Sequence, residues 1–189
     1  MKDYTYVEYI LKRRSFPDFL KAVGYKVDLK EWTECAAMLQ IGKNILGQRQ
    51  ETFKPDLVID AGCGVRPTLA VLLALNIKSL RSTPIIAIDP VIYENLGTGI
   101  ENLSLSKRTV GAWAHNDGEF ANKNAIVFCN HAHVGLNEVR HLLNKFSNWI
   151  YITSPCCLDN VIPNKLSLFY QDQRVWSAKN KYYIFESIH

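Results

Sequence analysis

The sequence predicts an α/β sandwich built on a mainly parallel sheet of seven strands. Two observations support this prediction. From Leu57 onward, short apolar runs alternate with segments of helical periodicity, and such alternation is typical of a parallel sheet with helices on both faces. Near its end the chain has two further apolar runs separated by a short polar link, which predicts an antiparallel hairpin beside the parallel strands.

The first 54 residues predict helices, and the strands begin only after them. Asp28 is a predicted N-cap, because Glu31 follows three residues later as in a capping box. We therefore expect one domain, residues 1–189, with a helical N-terminal extension over 1–54 and a core over 55–189. The helices of the extension are predicted at 4–14, 16–23 and 28–47.

The core is expected to alternate strands and helices in the following order. Strands are predicted at 57–60, 84–88, 109–114, 125–129 and 149–153, and the hairpin strands at 174–177 and 182–187. Helices are predicted at 67–77, 92–103, 136–146 and 165–170. The second strand is nearly all apolar, which indicates that both of its faces are covered.

One stretch, Pro55–Pro67, combines a buried strand, a tight turn and a helix start. Its apolar run ends in Asp60, a glycine turn follows at Gly62 and Gly64, and Pro67 suits the first position of a helix. Glycines allow the backbone to bend sharply and to approach a ligand closely. Because a helix start presents free N–H groups, this corner is a candidate binding site.

Asp89 ends the second predicted strand, 25 residues after Gly64. Ligands of parallel sheets bind at the carboxyl ends of the strands, and an acid in this place can accept hydrogen bonds from both hydroxyls of a ribose. The alternative is that Asp89 and Pro90 simply form a turn. The joint presence of the glycine turn and the acid favours the ribose role.

The segment Val58-Ile-Asp-Ala-Gly-Cys-Gly64 resembles the first motif of class I S-adenosylmethionine-dependent methyltransferases. Asp89 falls where that family keeps its ribose-binding acid, and the succession of five strands and a hairpin is also similar to theirs. The resemblance covers about residues 55–189 and implies a Rossmann-like fold, methyltransferase activity and S-adenosylmethionine as the cofactor.

The resemblance also implies roles for individual residues. It places cofactor contacts at Asp60, Ala61, Gly62, Cys63, Gly64, Asp89, Pro90, Asn116 and Asp117. Asp60 and the glycine turn would hold the methionine part, and Asp89 would hold the ribose. Asn116 or Asp117, following the third predicted strand, would meet the adenine amino group.

The loop after the fourth strand would face the transferred methyl group, so Asn130 and His131 are the catalytic candidates. An imidazole titrates near neutral pH, which suits His131 to the role of general base. The alternative for His131 is a hydrogen bond to the backbone of the same rim.

A second, narrower similarity involves Phe128-Cys-Asn-His-Ala-His133 and Thr153-Ser-Pro-Cys-Cys157. They resemble a methyltransferase subgroup with a histidine motif after strand four and Pro-Cys-Cys after strand five. Some members of that broad group act on RNA, so nucleic acid and small molecules both stay open as acceptors. One departure is Arg66, which stands where the family often has a third glycine.

Two other readings of the glycine turn stay open. The chain could be a methyltransferase-like interaction protein that has lost its chemistry. It could also be a dinucleotide-dependent oxidoreductase, although that class favours Gly-x-Gly-x-x-Gly and Pro67 occupies the last glycine place.

The composition sets wider bounds. The formal net charge of +4 permits a nucleic-acid partner without requiring one. We expect no membrane span and, from the odd number of cysteines, a reducing cytoplasm. Cys129, His131, His133, Cys156 and Cys157 could meet at one rim, but they lack Cys-x-x-Cys spacing, so no metal site is predicted.

Overall fold

The structure is a computed structural model that describes residues 5–26, 28–97, 99–116, 120–130, 133–155, 166–175 and 180–189. The helices are α1 (Tyr6–Leu11), α2 (Phe16–Ala22), α3 (Leu29–Gln48), α4 (Thr68–Asn76), α5 (Val110–Asn116) and α6 (Leu136–Leu143), with a short 3-10 turn at Lys78–Leu80. The strands are β1 (Leu57–Ala61), β2 (Ile85–Ile88), β3 (Leu103–Ser106), β4 (Asn124–Asn130), β5 (Asn148–Ser154), β6 (Leu168–Gln171) and β7 (Lys181–Ser187).

The seven strands form one sheet in the order β3-β2-β1-β4-β5-β7-β6. Strands β1 to β5 are parallel, and β7 runs antiparallel between β5 and β6. The predicted mainly parallel sheet with its C-terminal hairpin is confirmed. The strand order reverses between β1 and β4, and in such sheets the crevice at that reversal is where ligands bind.

Alternate residues of the central strands point to opposite faces, and each face has its own core. The face covered by α1 to α4 includes Val58, Ile85, Ala87, Ile126, Phe128, Ile150, Ile152 and Ile184. The face covered by α5 and α6 includes Leu57, Ile59, Ile86, Ile88, Ala125, Val127, Tyr151 and Phe185. Because both faces are buried, these strands are mostly apolar, and Asp60 in β1 is a buried exception.

The long helix α3 belongs to the sandwich itself. Its predicted N-cap is confirmed, because the Asp28 carboxylate accepts a hydrogen bond from the Glu31 N–H at 3.1 Å. Gly42 lets α3 lie close to the sheet, since a Cβ there would come within 2.9 Å of the Phe128 ring. The amino end of α3 is thereby fixed above the carboxyl ends of β1 and β4.

The prediction of a third strand at 109–114 is wrong. These residues belong largely to helix α5, and the third strand, β3, lies earlier in the chain. Val110, Trp113 and Ala114 are buried, and their spacing of three and four residues is that of one helix face. The apolar run therefore has the period of a helix. It is too short for this period to be recognised from sequence, so it resembled a strand.

The predicted helix at 92–103 is also wrong. The chain forms turns there before it enters β3. Gly97 and Gly99 adopt φ of 69° and 86°, and these left-handed conformations end any helix. Gly97 also makes room for Leu103, whose Cδ2 would lie 2.9 Å from an added Cβ.

The hairpin exists, but its first arm was misplaced. The strand paired with β7 is β6, where a helix was predicted at 165–170, and the predicted arm at 174–177 follows it. Residues 174 and 175 form a turn, while 176 and 177 lie outside the described residues. The Asp172 N–H donates to the Asn180 carbonyl at 2.9 Å and closes the hairpin at this end.

A polar triad joins α1 to this turn, with Tyr6 and Asp172 buried and the Arg174 side chain 48% exposed. The Tyr6 hydroxyl donates to the Asp172 carboxylate, and the Arg174 guanidinium donates to Asp172 Oδ2 and to the Tyr6 oxygen, both at 2.8 Å. Burial opposes ionisation of Asp172, but the hydrogen bonds from Arg174 and Tyr6 outweigh it and lower the pKa of that carboxyl. The triad therefore links the N-terminal helices to the sheet edge.

Replacing Asp172 with alanine is expected to lower the free energy of unfolding by about 2 kcal/mol, because it leaves a buried tyrosine hydroxyl and a guanidinium without their acceptor. Urea denaturation measures the change. The matched control is Arg49→Ala, which removes an ion pair to Glu186. Its arginine is as exposed as Arg174, 46% against 48%, but its carboxylate is more accessible than that of Asp172, 17% against 5%. The control leaves no buried tyrosine hydroxyl without its acceptor and should cost less than about 1 kcal/mol. Equal losses in the two variants would contradict the structural role of the triad.

Within the described ranges, no helix combines the length and the apolar character needed to cross a bilayer.

Candidate functional site

The corner after β1 is held open by two glycines in left-handed conformations. Gly62 and Gly64 have φ of 68° and 72°, a region that other residues enter only at a cost. The Gly62 N–H donates to the Ile88 carbonyl at 2.8 Å, which ties the corner to the end of β2. The backbone from Gly62 to Gly64 is thus fixed at the carboxyl edge of the sheet.

The Asp89 carboxylate forms hydrogen bonds with the backbone of this corner and of the segment that follows β2. Its Oδ2 accepts from the Gly64 N–H at 2.9 Å, and its Oδ1 accepts from the Val91 N–H at 2.9 Å. A carboxylate oxygen can accept more than one hydrogen bond. The sequence-predicted acid and glycine turn therefore lie side by side, and the carboxylate keeps acceptor capacity for a ligand.

A cavity of about 370 Å³ opens beside this pair, and we call it the Asp89 cavity. It is lined by Gly62, Gly64, Asp89, Pro90, Val91, Thr109, Val110, His133, Val134 and Glu138. Three valines supply apolar walls, and the carboxylate of Asp89 lies among them. Apolar walls with a few placed polar groups are typical of a small-molecule site.

Asp60 lies on the other side of the corner and is 2% exposed. Its Oδ2 accepts from the Ala70 N–H at 3.1 Å, so it caps the first turn of α4, where helix N–H groups have no partner within the helix. Pro67, predicted as the first helical residue, occupies the N-cap position and provides no side-chain cap. Burial, reinforced by the charges of Glu31 and Asp89, raises the pKa of Asp60 to about 7.

This pKa predicts a pH-dependent stability. The folded protein holds the Asp60 proton up to a pH of about 7, whereas the unfolded chain releases it near the usual value of 3.8. The contribution of Asp60 is fully present below about pH 3.8 and is lost as the pH rises towards 7. Asp60→Asn does not titrate, so wild-type stability should fall relative to this variant between about pH 4 and pH 7. Urea denaturation across that range tests this, and parallel curves would contradict it.

A second cavity, of about 180 Å³, lies on the β4 side of the corner, and we call it the acidic cavity. It is lined by Glu31, Glu34, Cys35, Asp60, Gly62, Cys63, Gly64, Leu69 and Asn130. Gly62 and Gly64 line both cavities, so the two spaces meet at the glycine corner.

Asn130 is the last residue of β4 and faces the acidic cavity. Its amide nitrogen donates to the Cys35 sulfur at 3.7 Å. Its Oδ1 is buried and has no hydrogen-bond partner within the described part of the chain. His131, the other catalytic candidate, lies outside the described residues.

Asn116, one of the two predicted adenine contacts, does not follow the third strand. Asn116 is the last residue of α5, about 9 Å along the helix from Val110, which lines the Asp89 cavity. The prediction assumed that Asn116 follows the third strand, and that assumption is wrong. Asp117 lies outside the described residues. Thr109 and Val110, which do follow β3, line the Asp89 cavity.

Arg66, the departure from the family pattern, is absent from the lining of both cavities. Its Nε is buried without a hydrogen-bond partner among the described residues. Burial raises the pKa of Glu31, and the nearby charge of Arg66 partly offsets that effect. Arg66 therefore influences Glu31 electrostatically but does not line the space beside the glycine corner.

The cysteine and histidine set cannot be assembled, because His131, Cys156 and Cys157 lie outside the described residues. Cys129 is buried in the core below the rim. Across the parts of the chain that the structure describes, no group of three or more histidine, cysteine or acidic side chains is arranged to hold a metal ion.

No protein-family model and no curated protein matches the sequence. Among solved structures, the chain is similar to a point mutant of MtNAS, with a TM-score of 0.56, 11% identity, and coverage of 97% of this chain and 68% of that one. MtNAS in complex with MTA and tNA gives a TM-score of 0.54 at 12% identity, covering 97% and 69%. Magnesium protoporphyrin IX methyltransferase from Synechocystis PCC 6803 with bound SAH gives 0.47 at 14% identity, covering 91% and 97%.

The fold is a Rossmann-like α/β sandwich on a seven-stranded sheet. At 11% and 12% identity, the likeness to the two MtNAS structures establishes the fold alone. Any reaction must be inferred from the residues around the glycine corner.

Several residues at the site were missed by the sequence analysis. Glu31, Glu34 and Cys35 come from α3, which was assigned to the helical N-terminal extension and given no role at the site. Their spacing of three and four residues places them on one helix face, and two acids on a face shared with a buried cysteine were an available signal. Glu138 was missed because its helix, predicted at 136–146, was given no role at the site.

Proposed function

We propose that this chain binds S-adenosylmethionine and transfers its methyl group to an acceptor. The observation that supports this most is the bond between the Asp89 carboxylate and the Gly64 N–H beside a cavity with apolar walls. A nucleoside needs these three features together: an acid for its hydroxyls, a close backbone for its linker and an apolar slot for its base.

The residues fit the cofactor in the following way. The Asp89 carboxylate would accept from the ribose hydroxyls, and Val91 and Val110 would contact the adenine ring. The methionine part would pass over Gly62 and Gly64, where no side chain blocks the approach. Pro90 lines the same cavity and would stiffen the backbone that follows Asp89.

The chain's part in the reaction is positioning. The bound cofactor would supply an activated methyl group on a positively charged sulfur. The rigid glycine corner would fix the donor, and the carbonyl oxygen of Asn130 would accept a hydrogen bond from the acceptor beside it. Holding the reacting atoms in line supplies much of the rate in such transfers. We propose His131 as the group that takes the acceptor's proton.

The acceptor is proposed to be an RNA or a small molecule. The charge of +4 is compatible with both. An interaction protein that binds the cofactor without transferring its methyl group is the alternative, and a dinucleotide-dependent oxidoreductase is the more distant one.

Isothermal titration calorimetry separates these functions. We expect S-adenosylmethionine and S-adenosylhomocysteine to bind at one shared site and NAD not to compete with them. Incubation with methyl-labelled S-adenosylmethionine and pools of RNA, protein and small molecules should then label one pool. No heat with either cofactor form would overturn the proposal, competition by NAD alone would favour the oxidoreductase, and binding without labelling would favour the interaction protein.

A further inference from the structure

The outer strand of the sheet, β6, is both apolar and exposed. It pairs with β7 on one side, and no strand of the described ranges lies beyond it on the other. All four of its residues are exposed. Large apolar side chains that are 40% to 48% exposed are concentrated in this strand and just before it: Leu166, Leu168, Phe169 and Tyr170. We call residues 166–171 the edge segment.

The edge segment lacks the residues that usually protect an open sheet edge, which are charged side chains and proline. Its sequence is Leu-Ser-Leu-Phe-Tyr-Gln, with no charged residue and no proline. Aromatic side chains of this kind pack well across paired strands. An exposed apolar edge is a template for pairing with a further strand, so the edge segment has the character of an interface.

The backbone of β6 is oriented to receive such a strand. In an antiparallel pair, alternate residues direct both of their backbone groups to the same neighbour. The Asp172 N–H donates to the Asn180 carbonyl at 2.9 Å, and the same register sets Tyr170 opposite Tyr182 in β7. Tyr170 therefore bonds towards β7, and Phe169, the residue before it, directs its N–H and its carbonyl towards the open edge.

The edge segment is complementary to itself. If two copies pair antiparallel about a two-fold axis at Phe169, this residue lies opposite its own copy. Leu168 then lies opposite Tyr170, and Ser167 lies opposite Gln171, so that apolar residues meet apolar ones and polar residues meet polar ones. Moving the axis by one residue to either side would set Phe169 opposite Gln171 or Ser167. Because the segment carries no charge, identical strands bring no like charges together, which would oppose their pairing.

We propose that two copies of this chain associate through the edge segment and continue one sheet across both. The same surface is used by each copy, as two-fold symmetry requires. Phe169 packs over the seam on the face where the Tyr183 ring lies 5.2 Å from its own, and Leu168 and Tyr170 pack on the opposite face. Burial of these side chains and backbone hydrogen bonds between the two copies of Phe169 stabilise the dimer.

The dimer leaves the glycine corner accessible. Strands β4, β5 and β7 lie between β1 and β6, so at about 4.8 Å per strand the seam is roughly 20 Å from the corner. The affinity for S-adenosylhomocysteine should therefore be the same in the monomer and in the dimer. Association can be measured without any ligand, and its outcome is independent of the proposed function.

Sedimentation equilibrium of the full chain tests the association. We expect the wild type to approach twice the chain mass of 21.6 kDa as its concentration rises. Phe169→Lys should raise the dimer dissociation constant about 100-fold or more, because it sets two like charges opposite each other and removes an apolar pair. The control is Tyr93→Lys, which adds the same charge at an aromatic residue that is 54% exposed and follows β2. The control should dimerise like the wild type.

A charge swap identifies the occupant of the edge as a second copy. Phe169→Glu alone should dissociate for the same reason as Phe169→Lys. An equimolar mixture of the two variants should associate again, because residue 169 lies opposite itself and the lysine of one copy then faces the glutamate of the other. A mixture of Phe169→Glu with the Tyr93→Lys control should not regain the affinity of the wild-type dimer.

The inference is overturned if the wild type keeps the chain mass at every concentration, which would leave the edge segment to a different occupant. It is also overturned if Phe169→Lys dimerises like the wild type, which would place the interface elsewhere, or if the lysine and glutamate variants fail to associate when mixed. Phe169 is 45% exposed, so its replacement opens no core cavity. Should Phe169→Lys not fold, Leu168→Lys, at a residue 48% exposed, provides the same test from the other face.

Discussion

Replacing Asp89 with asparagine is expected to weaken S-adenosylhomocysteine binding about 100-fold. A charged hydrogen bond contributes about 1.5–3 kcal/mol, and about 1.4 kcal/mol corresponds to a tenfold change in affinity. The variant also disturbs the corner itself. Both oxygens of Asp89 accept backbone N–H groups, from Gly64 and Val91, and an amide has only one oxygen for the two. The dissociation constant measured by calorimetry gives the effect.

The matched control for this variant is Asp56→Asn. Asp56 also accepts a backbone N–H, that of Asn124 at 3.0 Å, but it precedes β1 and so lies at the opposite edge of the sheet. We expect the control to bind S-adenosylhomocysteine like the wild type. Equal affinity in the Asp89 and Asp56 variants would remove Asp89 from the binding site.

The second large effect is expected from Gly64→Val. Gly64 has φ of 72°, and a Cβ there would meet no protein atom within 4 Å. Because Gly64 lines both cavities, the side chain would occupy space left for the ligand. We expect S-adenosylhomocysteine binding to fall at least 100-fold, together with a loss of about 2 kcal/mol in the free energy of unfolding from the left-handed backbone.

Gly99→Val separates these two contributions. Gly99 has φ of 86° and also has no protein atom within 4 Å of an added Cβ, but it lies in the turn before β3. The stability loss should therefore be similar in the two variants, while only Gly64→Val loses binding. Calorimetry and urea denaturation of both proteins provide the comparison, and similar affinities would show that the Gly64 corner does not face the ligand.

The central part of the fold could be predicted from sequence because its strands are buried on both faces. The runs at β1, β2, β4 and β5 are mostly apolar, and turns bound each of them. The glycine corner and Asp89 follow two of these strands directly, so their meeting at one edge followed from parallel topology. The N-cap at Asp28 was likewise a local signal.

The edges of the sheet could not be predicted in the same way. Strand β3 has four residues, none fully buried, and β6 is exposed along its whole length, so neither carries a distinctive pattern. Helix α5 has only seven residues, too few to distinguish the period of a helix from that of a strand. Because the third strand was misplaced, Asn116 was predicted to follow it, whereas Thr109 and Val110 are the cavity-lining residues after β3.

The acidic cavity depends on packing between distant parts of the chain. Glu31 and Glu34 approach Asp60 and Asn130 only because α3 lies across the sheet, where Gly42 fits against Phe128. No local pattern sets that crossing. The sequence shows that Glu31 and Glu34 share a helix face. Only the folded chain shows that Asp60 and Asn130 lie opposite that face.

A crystal structure of the complex with S-adenosylhomocysteine tests the central claim most directly. We expect the ribose hydroxyls within hydrogen-bonding distance of the Asp89 carboxylate, the adenine ring between Val91 and Val110, and the thioether beside the Gly62–Gly64 corner. A nucleoside bound elsewhere, or an Asp89 carboxylate that makes no contact with it, would contradict the proposed site and the methyl transfer inferred from it.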